Sequence, residues 1–418
     1  VEETGVQFVA LAAGSGQFDV VLLVLGVLLM FGALISGLVH RSFLSLTAVF
    51  VLAGFALGDG GLEVLHFDAR SPFVANLAVV ALIVILFRDG LEVDAEMLQE
   101  HWRLPLRKLV LAMPLTAVLV ALAARGLTDL GWTEALLLGA LLSPTDPVLS
   151  SSVVTNPRVP RVVRHSLNLE SGMNDGLALP AVLALAAALG AGDGEFVWWQ
   201  FVLQDVTLGL VFGVGVGFLA ARLMPRHREL QGGIHAHQQS LYALGVAFTA
   251  YGFAIAPPAG NGFIAVYVSA ITLGILRPDI RENFFQLSGD VLELIKLGVF
   301  VVFGALLSAD ALAASGWAGP ALVAFTLLVA RPVAVLAALA GTRTDLATRL
   351  FMAWFGPKGV ATMTFSLLIL GEGLAAGEQI FNLAALVVFC SIIAHGLTDT
   401  PGANWLAARA ERAEPAQA

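Results

Sequence analysis

Apolar runs long enough to cross a bilayer recur from one end of the chain to the other, separated by short stretches rich in Gly, Pro and Arg. A membrane-crossing helix needs about 20 mainly apolar residues. On that measure the pattern predicts thirteen spans, at 18–39, 43–57, 72–92, 105–126, 134–152, 162–190, 200–224, 240–257, 261–276, 286–307, 318–340, 347–371 and 378–397. None alternates with the two-residue period of a barrel strand. The predicted class is an all-α polytopic membrane protein with thirteen transmembrane helices.

Composition agrees. The 418 residues are 58% hydrophobic and only 13% charged, with a mean hydropathy of +0.86; a soluble chain carries about 25% charged residues. A formal charge of −9 argues against nucleic acid as a partner, leaving membrane lipids as the surroundings to expect. The single cysteine, Cys390, excludes an intramolecular disulfide. No basic segment with a cleavable apolar run opens the chain, which reads as a mature or trimmed N-terminus.

Charge also orients the spans. Sixteen of the 22 Lys and Arg residues fall in segments that follow odd-numbered spans, among them Arg103, Arg107 and Lys108 after the third. Only Arg70 and Arg125 follow even-numbered spans. Cytoplasmic loops carry the excess of basic residues, so the N-terminus is expected outside and the C-terminus in the cytoplasm, in an inner or plasma membrane. The loop "MPRHRELQGGIHAHQQS" between spans seven and eight holds His235 and His237, read as solvated rather than metal-binding.

The fifth span contains "SPTDP", residues 143–147. Each proline removes an i→i−4 hydrogen bond, so Pro144 and Pro147 leave the carbonyls of Ala140 and Ser143 without their helical partners. Lipid offers such groups nothing; protein, water or an ion must satisfy them. The twelfth span is interrupted the same way, at "FGPKG", residues 355–359. Broken spans seven apart predict inverted six-helix repeats, spans 1–6 and 8–13, joined by span seven. That arrangement marks the binding site of a secondary transporter.

Charges inside spans are costly and functional by default. The predicted interior holds three acids, Asp146, Glu170 and Asp175, and two bases, Arg331 and Lys358. Pairing them leaves one acid over. An unpaired carboxylate in a low dielectric holds a proton more tightly and can trade it for a small cation. In the sixth span Ser171 and Asp175 are four apart, as are Glu170 and Asn174, and such residues share a helix face. Glu293 and Lys296 in span ten are three apart and are expected to pair with each other.

These residues carry a resemblance. "TDPV" in a broken span, "ESGMND" in the next, and an intramembrane Arg followed by "GPKG" resemble the sodium/proton antiporters of the monovalent cation/proton antiporter superfamily, in the NhaP/NHE branch. The resemblance implies that Asp175 alternately binds cation and proton. It implies oxygen ligands from Ser171 and the Thr145 main chain, with Asp146 acting through water or on the crossing helix ends. Asn174 stands where the electrogenic branch has a second aspartate. Glu170 and Arg331 become a structural ion pair, and Lys358 the charge at the crossing, where relatives usually have arginine. One departure is evident. The third span of this family often reads "F-E-G-G-L", whereas "LFRDGLEVD" places Arg88 at the Glu position and Asp89 beside it. The departure leaves a third-span ligand open and would weaken cation affinity from the cytoplasm.

The implied protein is a Na⁺/H⁺ antiporter using no cofactor, and a homodimer. Residues 18–92 and 200–307 (with span seven as linker) would be the scaffold, 105–190 and 318–397 the transport core, and 398–418 a short cytoplasmic tail. A K⁺/H⁺ antiporter with the same site is the alternative. Backbone carbonyls, a hydroxyl and a carboxylate suit a hard monovalent cation. A cation channel is a remoter reading, because paired broken helices are a transporter device. No hydrolase or zinc motif suggests an enzyme.

Overall fold

The computed structural model describes residues 46–93, 102–146, 156–190, 196–225, 235–257, 260–287 and 289–413, with isolated positions in 23–30 and at 153. Among them there are helices and no strands. The first predicted span, 18–39, and the far side of the "SPTDP" break lie outside the described residues.

The helices are α1 (Leu46–Leu57), α2 (Pro72–Glu92), α3 (Arg103–Leu127), α4 (Trp132–Leu142), α5 (Arg161–Gly190), α6 (Trp198–Leu223), α7 (Ala236–Ile255) and α8 (Gly262–Leu276). They continue with α9 (Pro278–Leu287), α10 (Gly289–Ala305), α11 (Ala318–Ala338), α12 (Leu346–Trp354), α13 (Val360–Gly371) and α14 (Gly377–Ala413). Six of them, α2, α3, α5, α6, α11 and α14, are long and apolar enough to cross a membrane unaided. Apart from α9 and a further five-residue helix, Ala309–Ala313, each falls on one of the predicted spans two to thirteen, and α12 and α13 share the twelfth. The α9 segment instead turns 113° away from α8.

Local chemistry sets the ends. Ser71 caps α2, its hydroxyl accepting from Val74 N at 3.3 Å ahead of Pro72 at the first helical position. Asn261 caps α8 by accepting from the amides of Phe263 and Ile264 at 3.1 Å. The Glu134 carboxylate reaches back to the Gly131 amide to start α4.

Without a hydrophobic drive between helices in lipid, close approach depends on small residues. A Cβ added at Gly54 of α1, or at Gly58 just beyond its end, would overlap the α10 backbone at Val301 and Ala305, and one at Gly304 would overlap α1 at Val51. Gly304→Ala should therefore destabilise the protein by about 1–3 kcal/mol through overpacking. A melting temperature in detergent equal to that of the parent would show that the two helices part without cost.

Candidate cation site

Two extended segments cross at the centre of the site. Residues 143–146 follow the end of α4, and residues 355–359 separate α12 from α13. They are joined by main chain, Asp146 N donating to Pro357 O at 2.8 Å. Each helix end receives a charge from the opposite segment. The Lys358 ammonium, fully buried, donates to the carbonyls of Ser143 at 3.4 Å and Pro144 at 3.2 Å, beyond the C-terminus of α4. Asp146 Oδ2 accepts from Val360 N at 3.4 Å, the first amide of α13. Both placements complement the helix dipoles. The crossing is tight enough that a Cβ on Gly359 would collide with the Asp146 side chain.

The carbonyls expected to lose their partners find others. Ala140 O accepts from the Ser143 hydroxyl at 3.0 Å, and Ser143 O from Lys358. Pro147 itself lies outside the described residues.

α5 passes beside this crossing. Its Asn174 Nδ2 donates to Thr145 O at 2.6 Å and to Thr145 Oγ1 at 3.1 Å. The Asn174 Oδ1 atom is buried and has no hydrogen-bond partner among the described residues. One residue on, Asp175 is buried with its side chain beside that of Asp89 of α2, and Asp146 is a further nearby charge. Ser171, half-buried, lies one turn earlier on α5. From α8, the Tyr267 hydroxyl donates to Gly172 O at 3.1 Å.

Asp89 bears on the question that the third span left open. The third span does bring a carboxylate to Asp175, displaced by one residue from the position that Arg88 occupies. Arg88 turns away along its own helix and pairs with Glu92 at 3.1 Å. Span ten also differs from expectation. Glu293 is exposed, while Lys296 is half-buried, with Arg88, Asp146, Asp89 and Glu92 as its charged neighbours. Three residues on a helix share a face only roughly, and here the neighbouring helix supplies the stronger field.

Glu170 forms the expected ion pair with Arg331, at 3.2 Å. It also binds a second cation. Lys108 Nζ lies 2.5 Å from Glu170 Oε2 and 3.2 Å from Ser166 O. The Lys108 residue, 1% exposed, is thus interior and not part of a cytoplasmic loop as its neighbours Arg103 and Arg107 suggest. The inventory of three acids and two bases changes with it. Both cations stand at π-helical turns: Lys108 opens the turn Lys108–Ala112 in α3, and Arg331 follows Thr326–Ala330 in α11. A π turn takes up one extra residue and rotates what comes next, a device frequent at functional sites. Arg331 also donates to Phe355 O at 3.2 Å, and Thr145 Oγ1 to Glu170 Oε1 at 3.5 Å. The triad is therefore tied to both extended segments.

At the far end of α5 a cavity of about 680 Å³ opens between α5, α6, α8 and α13, with Asp205 and Glu372 among its lining. His235 is exposed at the start of α7, and no His, Cys, Asp or Glu cluster among the described residues could hold a metal ion.

Residues 26–405 match the family described as sodium/hydrogen exchanger, transmembrane. The chain belongs to that family. This exchanger chain is 26% identical over 397 residues to the K⁺/H⁺ antiporter NhaP of Alkalimonas amylolytica, covering 93% of this chain and 67% of that one. It is 27% identical over 378 residues to the K⁺/H⁺ antiporter NhaP2 of Shewanella sp. MR-4, covering 89% and 64%. It thus spans about two thirds of the length of these curated relatives. Its fold is that of the sodium proton antiporter MjNhaP1 from Methanocaldococcus jannaschii, with a TM-score of 0.77 at 18% identity, covering 94% of this chain and 99% of that one. The exchanger family is one of transporters, and this member is an integral membrane protein.

Proposed function

We propose that this protein exchanges Na⁺ for protons across an inner or plasma membrane, by alternating access to a site centred on Asp175. The observation that carries the reading is that the buried carboxyls of Asp175 and Asp89 lie side by side, beside the crossing of two extended segments. Two adjacent carboxylates repel, so the pair favours holding one positive charge between them, a proton or a cation. A bare cation can replace that proton. Ser171 and the Thr145 carbonyl complete an oxygen set suited to a hard monovalent ion. Asn174 holds Thr145 through its Nδ2 and offers its Oδ1 as a further oxygen. Asp146 and Lys358 act on the helix ends, and Glu170, Arg331 and Lys108 hold the frame. A resident metal or cofactor plays no part; Na⁺ is cargo.

The proposed architecture has thirteen spans in inverted repeats, with spans five and twelve discontinuous, the N-terminus outside and the C-terminus in the cytoplasm. Residues 105–190 and 318–397 form the moving core against a scaffold of 18–92 and 200–307, in a homodimer, with 398–418 as the tail. The cavity bearing Asp205 and Glu372 lies between elements of the two parts and supports an approach from that side. Exchange of K⁺ is the second reading, favoured by the names of the curated relatives.

Dequenching of a pH dye in proteoliposomes on adding Na⁺, K⁺ or Li⁺ separately tests the assignment. Na⁺ is expected to give the response at the lowest concentration; a response to K⁺ alone would establish the second reading, and a flux needing no counter-gradient a channel. Exchange should also be electroneutral. The Asp175–Asp89 pair carries one net negative charge with either a proton or Na⁺ bound, so the two crossing states match. An imposed membrane potential should leave the initial rate unchanged, and Asn174→Asp, which adds a titrating group, should introduce a voltage dependence. A parent rate rising several-fold with potential would mean that two protons leave per cation.

A further inference from the structure

Ser391 and His395 stand four residues apart on α14, both buried, and face the gap between α12 and α13. A helix end leaves its last carbonyls without intrahelical partners, and the amides of a break between helices have no ladder either. Here side chains of a neighbouring helix supply them. His395 Nε2 lies 2.9 Å from the carbonyl of Trp354, the last residue of α12. Ser391 Oγ accepts from Lys358 N, beyond Pro357, at 3.0 Å. Between the two, Ser391 Oγ and His395 Nδ1 are 3.2 Å apart.

Lys358 N–H donates to Ser391 Oγ. His395 spans two carbonyls, with Nδ1 2.8 Å from Ser391 O and Nε2 2.9 Å from Trp354 O. A carbonyl only accepts, so each ring nitrogen bonds its carbonyl when it carries the proton, and a doubly protonated ring makes both bonds. The Trp354 indole stacks on the imidazole, with ring centroids 5.0 Å apart and planes 23° apart. Its Nε1 donates in turn to Thr398 Oγ1 at 2.9 Å. The imidazole is thereby fixed at its edge and on its face.

We propose that Ser391 and His395 are a side-chain splint that bridges the gap from Trp354 to Lys358 and positions the crossing for exchange. They are positioning residues, acting through Lys358. Its ammonium holds the carbonyls of Ser143 and Pro144, and the adjoining Pro357 O holds Asp146. A shift of the Lys358 backbone therefore moves the segment that presents Thr145. The transport half of the test rests on the exchange reading above; the amide-exchange half does not.

The test uses the full chain with His395→Ala, His395→Gln and Ser391→Ala. By hydrogen exchange read by mass spectrometry, amides of 355–360 are expected to exchange about tenfold faster in His395→Ala, the factor that one net hydrogen bond represents. Glutamine keeps an N–H for Trp354 O and should recover most of that protection, whereas Ser391→Ala should expose the Lys358 amide alone. In proteoliposomes the half-saturating Na⁺ concentration should rise in the same order, with the maximal rate nearly unchanged. Parental amide exchange in both alanine variants, or a glutamine variant no better than alanine, would overturn the splint. Faster amide exchange with unaltered half-saturation would overturn its positioning role. If His395→Ala does not fold, Ser391→Ala decides by the same two readings. Absence of exchange in the parent protein would instead remove the antiport reading and leave the amide result standing.

Discussion

Asp175→Asn is expected to abolish Na⁺-driven proton movement in proteoliposomes while leaving expression and melting temperature near those of the parent. The amide keeps the volume of the carboxyl and can hydrogen-bond to Asp89 across the α2–α5 contact. What it loses is the negative charge that must be neutralised by cation or proton. Binding at a site of this kind depends on charge-assisted contacts, which an amide oxygen replaces only in part. Asp89→Asn is the informative companion. If the two carboxyls act together, it too should fall by orders of magnitude; if Asp89 only lines the site, cation affinity should drop and turnover survive. Sodium-dependent proton flux in Asp175→Asn would remove the site assignment altogether.

The second large effect concerns stability. Glu170→Ala should lower the melting temperature in detergent more than either Arg331→Ala or Lys108→Ala. Breaking a buried pair by removing one partner costs about 3–5 kcal/mol, because a charge is left without compensation. Removing Glu170 strands two cations, 2.5 and 3.2 Å from its carboxylate. Removing one cation leaves Glu170 with the other, so the single-base variants should be milder. Lys108→Met, which keeps the stem volume and discards the ammonium, should resemble Lys108→Ala more than the parent. Should all three alanine variants melt with the parent protein, the triad contributes nothing and its geometry is incidental.

The comparison of Lys108 with Glu170 shows where reading along the chain succeeds and where it stops. Glu170 is conspicuous, an acid in the middle of an apolar run, and its need for a basic partner follows from the cost of burying charge. Arg331 is the same kind of signal on another span. Lys108 gives no such signal. It follows Arg103 and Arg107 at the edge of a span, the usual place for residues that anchor a helix at the interface. Only the π turn beginning at Lys108 and the packing of α3 on α5 turn its ammonium inward. Asp89 is a parallel case. The alignment of "FRDG" on the expected "FEGG" puts arginine at the ligand position, and a rotation of about 100° per residue separates Arg88, paired with Glu92 along α2, from Asp89, facing Asp175.

From sequence alone came the all-helical class, the place of most helices, the interruptions at Pro144 and Pro357, and the acids that must find partners. These follow from local terms: the cost of exposing backbone groups to lipid, the missing N–H of proline, and the desolvation of charge. Which charges meet was decided by the tertiary structure. Lys108 beside Glu170, Asp89 beside Asp175, Lys296 with Asp89, Glu92 and Asp146 as charged neighbours, and Asn174 on the Thr145 carbonyl all depend on how one helix is rotated and seated against another. The helical period relates a residue only to its own helix. The rotation between helices is set by many weak contacts at once, such as the glycines that let α1 and α10 close together, and no short stretch of sequence contains that sum.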